Sequence, residues 1–394
     1  MAAALIDEIV KNGQLLRDSN DQTARQKIIA AASSLIEELE IPPEKLARIG
    51  WGEPSRTAAL RTAFDLGILT KLGEEPMSSA QLAEGTKADP QLVARVMKHL
   101  ASYGIVKEIG RDQYCGSPFS MASNDPTIRG GLIYSFEGMI PTFHGLPEFL
   151  AKTNYQVPTD SNDGPVQYGL RTDRPFFAVL QSNTRLGTAF NNFMQGYAKA
   201  RPRWVDYYPC EERLGSGSGQ GPLLVDVGGG LGHDITAFHS KFPNIPGQLV
   251  LEDTPKVIDE AKSSSSSLPP AIKPVPHDFF SPQPMEYRGA RAYFLRLVLH
   301  DWPDSQCNAI LSHLRDAMTP GYSKILINEN VLFDEGAPWQ QTSLDWTMMG
   351  MLVARERTED QWRELLAAAG LKLNGIWQKD PASESVIEAV LADE

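Results

Sequence analysis

Through the first fifty residues apolar side chains recur at helical spacing: Ile6, Ile9 and Val10, then Ile28, Ile29, Ala32, Leu35, Ile36 and Leu39. Residues three and four apart share one face of a helix, so the pattern predicts two amphipathic helices ahead of Ile41-Pro42-Pro43. Stripes of this kind pack on something, and a second copy of the chain is the expected partner. Residues 55–122 predict a helix–turn–helix with a wing. Leu60, Ala63 and Leu66 close one helix at Gly67–Leu69, and Ser78 and Ser79 cap the next. Asp89-Pro90 opens a third helix with Val93, Val96, Met97 and Leu100 on one face and Gly104 as its stop. Residues 105–114 predict a hairpin turning at Gly110-Arg111-Asp112. Residues 126–210 are helical and rich in aromatics. Phe176, Phe177, Phe190, Phe193, Met194 and Tyr197 form an apolar stripe that is core by default, part of it available to wall a substrate beside Asn191 and Asn192.

A Gly-Ser stretch at 215–221 reads as a flexible boundary. Beyond it helical and apolar runs alternate, with strands expected near 223–227, 247–252, 291–295, 323–328 and 385–391. The predicted fold is α/β: a Rossmann-like domain over 215–394, preceded by a mainly α-helical, winged-helix dimerisation domain over 1–125 and a helical substrate wall over 126–214.

The run LLVDVGGGLG, 223–232, carries the first chemical signal. A buried apolar strand, a glycine turn and a helix bring backbone close to a nucleotide in doubly wound folds. A dinucleotide fingerprint needs a sixth-position glycine, and counting from Gly228 that position is His233. No Lys-Ser or Lys-Thr follows to make a phosphate loop. Asp226 at the strand end would repel a pyrophosphate and welcome an ammonium, so a ligand with an adenosine and no phosphate fits better. Asp253, 25 residues beyond Gly228, ends the next apolar strand at the spacing of a ribose-binding acid, with Glu252 as the alternative. Val275–Phe280 adds a polar–aromatic turn suited to an adenine ring.

Composition narrows the partners. A net charge of −12 argues against nucleic acid and anionic membranes, and the third winged-helix segment offers only Arg95, Lys98 and His99. Cys115, Cys210 and Cys307, an odd and sparse set, predict neither a disulfide framework nor a metal site. With no long apolar run at the N-terminus or elsewhere, a soluble, cytoplasmic protein is expected.

The second chemical signal is RLVLHDW, 296–302, which sets His300 just past a strand end on the ligand side of the sheet. Histidine suits proton removal at neutral pH. Lys324–Glu329 is an apolar strand ending in Glu329 at the same edge, and Glu356 stands just before a Thr358-capped helix. Two carboxylates converging on one imidazole would orient it and stabilise the imidazolium.

With these motifs the chain resembles the plant- and fungal-type S-adenosylmethionine-dependent O-methyltransferases, the family of caffeate and flavonoid O-methyltransferases. The resemblance rests on VDVGGGLG, LEDTPKVI (251–258), HDFF (277–280), LHDWPD (299–304), the strand ending in Glu329, and ERTEDQW (356–362). It implies an S-adenosylmethionine site lined by Gly228, Gly230, Asp253, Asp278, Phe279 and Arg296, the last standing where the family often has lysine. It implies His300 as general base flanked by Glu329 and Glu356, with Met194 against the acceptor ring, no metal, and a homodimer. His144, Asn191, Trp346 and Met349 complete the expected acceptor wall, alongside Phe143, Phe176, Phe190, Met348 and Met351, for a small, flat, largely apolar acceptor. The family's fungal branch also implies an alternative, a pericyclase or dehydratase that binds the cofactor without using its methyl, with His144 as an acid.

Overall fold

A computed structural model describes residues 1–199, 201–215, 221–263, 268–381 and 383–392. The Gly-Ser boundary between 216 and 220 and the serine run 264–267 lie outside the described residues. The chain divides into two compact units, Met1–Asp125 and Pro126–Glu394, so the helical stretch 126–214 shares a unit with the sheet.

In the first unit, helices Ala2–Ser19 and Gln22–Leu39 form an antiparallel pair. Between them Asn20 takes a left-handed conformation, and Asp21 caps the second helix by accepting from the N–H groups of Thr23 and Ala24. The pair buries only Asn12, Ala24 and Ala31, while Ile6, Val10, Leu15, Ile29, Ile36 and Leu39 are exposed. Helices Glu53–Asp65, Ser79–Ala83 and Pro90–Ser102 follow, the last two capped by Ser78 and Asp89. The wing is the hairpin of β1 (Val106–Gly110) and β2 (Gln113–Gly116), with Met77 bridged to Tyr114.

The second unit is built on a seven-stranded sheet. Its strands are β3 (Leu224–Val227), β4 (Leu249–Asp253), β5 (Ile272–Pro276), β6 (Ala292–Arg296), β7 (Lys324–Glu329), β10 (Leu371–Gln378) and β11 (Ser385–Leu391), in the order β10-β11-β7-β6-β3-β4-β5. Two-residue strands β8 (Val331–Leu332) and β9 (Arg357–Thr358) pair separately in parallel. The five from β3 to β7 run parallel, and β11 and β10 close one edge antiparallel. The chain leaves β3 for β4 on one side and later fills β6 on the other. This order reversal opens a ligand crevice at the strands' C-terminal ends. Trp204, fully buried, stacks on Phe294 of β6 and on Phe238, seating the helical stretch on the sheet. Among the described residues no helix is long and apolar enough to cross a membrane.

Candidate active site

Two loops meet at the reversal point. After β3, Gly228, Gly230 and Gly232 all take positive φ, at 69°, 58° and 80°, a region costly for any side chain with a Cβ. A Cβ on Gly229 would lie 2.5 Å from both Asp226 and Leu251, so the turn is packed from beneath. A Cβ on Gly230 would meet nothing within 4 Å, so the upper side is open. Asp253, at the end of β4, accepts from the Gly230 N–H at 2.9 Å, and its backbone carbonyl accepts from the N–H of His277 at 2.9 Å. The glycines, Asp253 and the 277–280 turn therefore share one edge. Phe279 lies against Gly228 and packs edge-on to Phe280 and Trp302. Asp278 is exposed and accepts from the Phe280 N–H.

Three acids of this region differ from one another. Asp226 is buried under the turn, where desolvation, reinforced by the charge of Asp234, raises its pKa well above the usual range; its Oδ2 has no hydrogen-bond partner among the described residues. Glu252, the alternative to Asp253, is buried and bonded to Gln283, and burial raises it to about 7. The open acid is therefore Asp253. Arg296 is largely buried, its guanidinium 3.2 Å from Asp234 and 3.6 Å from Glu384.

The second loop follows β6. Leu297 sits at φ 51°, a conformation that costs a non-glycine residue roughly 1–2 kcal/mol, and its side chain lines a cavity. The 3₁₀ turn Leu299–Asp301 then presents His300. Its Nδ1 is 2.7 Å from Glu356 Oε1, both groups being buried, and its Nε2 is 3.5 Å from Asp301. Glu329 acts on the ring through its charge and, by hydrogen bonds, on the backbone of the turn. Its Oε1 accepts from the backbone N–H groups of Val298, Leu299 and His300, at 3.1, 2.6 and 3.2 Å. A carboxylate at the end of β7 is aimed at the unpaired N–H groups that open a helical turn, and so reaches the backbone first. Burial opposes the imidazolium, but the charges of Glu356 and Asp301 and the Glu356 hydrogen bond outweigh it, lifting His300 to about 10. Burial also lifts Glu329 to about 7 and Asp301 to about 6.

His300 and Asp301 line a cavity of about 140 Å³, otherwise walled mainly by aromatic and aliphatic side chains. On helix Thr184–Lys199 the lining residues are Phe190, Phe193, Met194 and Tyr197; on helix Trp339–Leu352 they are Leu344, Thr347, Met348, Met351 and Leu352. Both sets follow the i, i+3, i+4, i+7 rule of a single helical face. By that rule or by their place on another helix, several residues expected on the wall fall outside it, Phe143 among them. Asn191 and Trp346 point away and are exposed, Met349 falls outside the lining, and His144, on helix Ile140–Lys152, is exposed and also outside it. The aromatic stripe serves as core and wall together: Phe176 belongs to a buried cluster with Tyr134, Leu180 and Leu186, Phe190 and Phe193 pack against that cluster, and all three also line the cavity. Asp301 was missed as a site residue although it directly follows His300 in the LHDW motif.

Comparison with known proteins places the chain. Residues 220–372 match the family model described as an O-methyltransferase domain, and 55–121 match an O-methyltransferase dimerisation domain. O-methyltransferase mfmE of Annulohypoxylon moriforme is 36% identical over 95% of this chain and 92% of its own. The chain belongs to the O-methyltransferase family. Among solved structures, one described as a pericyclic reaction enzyme superposes with TM-score 0.86 at 32% identity, over 99% of both chains. LepI in complex with SAM does so with the same TM-score and identity, over 99% of this chain and 98% of that one.

Proposed function

We propose that this chain is an S-adenosylmethionine-dependent O-methyltransferase that methylates a hydroxyl of a small, flat, mostly apolar acceptor, with His300 as general base. The observation that carries it is the buried Glu356–His300 pair at 2.7 Å on the wall of an apolar cavity. With Nδ1 held by Glu356, Nε2 is the nitrogen left for the acceptor's proton.

The residues fit the cofactor. The turn is free of Cβ atoms where it faces open space at Gly230, and Asp253 stands beside it. No Lys-Ser or Lys-Thr of a phosphate loop follows. Gly228, Gly230, Asp253 and Phe279 would hold it, with Asp278 at the rim and with Asp226 and Arg296 beneath and beside the turn. When bound, S-adenosylmethionine supplies an electrophilic methyl on a sulfonium. The chain's own work is then to hold the acceptor against the Phe–Met wall, exclude water, and take up the hydroxyl proton at Nε2. Met194 lies on that wall. Positioning carries much of such a displacement.

The likeness to a pericyclic reaction enzyme favours a second reading, in which the cofactor is bound and its methyl is never used. The acid assigned to that chemistry, His144, is exposed and outside the cavity lining. Incubation with methyl-labelled S-adenosylmethionine and an organic extract of the organism that carries the gene distinguishes the two. Labelled product with one equivalent of S-adenosylhomocysteine is expected. Product formed without S-adenosylhomocysteine would establish the second reading.

The matched dimerisation domain and the outward apolar stripe of the first helix pair support a homodimer with that stripe in its interface. Ile29→Glu with Ile36→Glu is expected to convert dimer to monomer in sedimentation velocity. A mutant that stays dimeric places the interface elsewhere.

A further inference from the structure

Glu356 and Arg357 are consecutive, and successive side chains of an extended segment leave on opposite sides. Glu356 goes to the ring of His300. Arg357, with no exposed surface, goes to the main chain of the same turn. Its Nη1 donates to the carbonyl of Leu299 at 3.3 Å and its Nη2 to the carbonyl of Trp302 at 3.2 Å. The Cys307 sulfur lies 3.1 and 3.2 Å from these same two carbonyls, its single S–H proton donated to one or the other, and it accepts from Nη2 at 3.3 Å. Asp304 holds the guanidinium in place, accepting from Nη2 at 2.8 Å and from Nε at 3.1 Å, and the Trp362 ring lies 5.2 Å from it. The turn is thus gripped from both ends of its peptide dipoles, its N–H groups by Glu329 and its carbonyls by Arg357 and Cys307.

We infer that Arg357 is a positioning residue for the reaction: its planar fork, together with the Cys307 thiol, fixes the Leu299–Trp302 backbone and thereby sets where the His300 imidazole meets the acceptor. The inference rests on the reading of His300 as base. Two features separate it from a purely structural role. The Asp304 carboxylate is partly exposed, and an ion pair open to solvent on one side adds little net stability, so that pair alone gives Arg357 small importance. The fork also matches two carbonyls and a carboxylate at once, which a lysine ammonium on a flexible stem cannot do. A displacement of about 1 Å at a reacting group is enough to cost about 10²-fold in rate.

The test uses the full-length protein labelled with ¹⁵N-histidine, with S-adenosylhomocysteine as the probe ligand. In Arg357→Lys and Arg357→Met the His300 ring signals are expected to shift and broaden, and the titration midpoint to move from its wild-type value. Cys307→Ala, a milder change that keeps the fold if the arginine variants lose it, is expected to move the same signals in the same direction. With the acceptor found in the extract assay, kcat of Arg357→Lys is expected to fall about 10²-fold while KM stays within about twofold. Folded variants whose His300 signals and midpoint match wild type overturn the inference. A wild-type protein that forms no S-adenosylhomocysteine overturns the base reading instead, and the histidine spectra still decide whether Arg357 places the ring.

Discussion

His300→Gln is expected to lower kcat by about 10²–10⁴-fold while the dissociation constant for S-adenosylmethionine stays within about twofold. The glutamine amide approximates the ring in length and polarity, so the cavity wall stays filled. It carries no nitrogen able to accept a proton near neutral pH. The residues proposed to hold the cofactor, Gly228, Gly230 and Asp253, stand on the loop after β3 and at the end of β4, whereas His300 stands on the loop after β6. Binding and proton removal are therefore separable by one substitution. Calorimetry reads the first, and S-adenosylhomocysteine formation reads the second. A mutant that keeps near-wild-type turnover would mean that the acceptor arrives already ionised and that positioning alone carries the transfer.

What the sequence displays and what it hides follow from burial. The five strands expected from apolar runs are β3, β4, β6, β7 and β11, each buried along most of its length. The two strands of the seven-stranded sheet that went unread, β5 and β10, are its two edges. An edge strand has one free flank and only partial cover, so no continuous apolar run marks it. β5 (IKPVP) even holds two prolines, which an edge tolerates because the missing N–H bonds need not be made. β10 carries Gly375 at a break in register.

The site shows the same division. Motif spacing brought His300, Glu356 and the glycine turn together because each stands at the C-terminal edge of the parallel sheet or just beyond it. It could not say which glutamate reaches the ring. Glu329 and Glu356 look equivalent as letters, but a carboxylate at the end of β7 meets three backbone N–H groups before it meets the imidazole. Likewise, Met348 and Met349 are neighbours in sequence and lie about 100° apart around their helix, so one lines the cavity and the other does not.

Glu356→Gln should produce the other large effect, and its pH dependence carries the argument. A base must be unprotonated to work, so a raised His300 pKa means that kcat/KM climbs with pH, about tenfold per unit, well past the ordinary imidazole range towards about 10. Burial alone would push the pKa the other way; the Glu356 charge is the leading reason it does not. Neutralising Glu356 removes that charge and its acceptor-only hydrogen bond. The rising limb should therefore move to lower pH, towards or below the ordinary imidazole value. The plateau should fall nonetheless. A glutamine amide can donate to Nδ1, which leaves the ring proton on Nε2, the nitrogen that must be bare to receive the acceptor's proton. In a histidine–carboxylate pair that wrong tautomer costs up to about 10⁴-fold. Profiles of kcat/KM from pH 6 to about 11 for both proteins read limb and plateau independently. An unchanged limb with a lowered plateau would make Glu356 an orienting group whose charge the base does not feel. A shifted limb with an intact plateau would make it a charge that does not fix the tautomer.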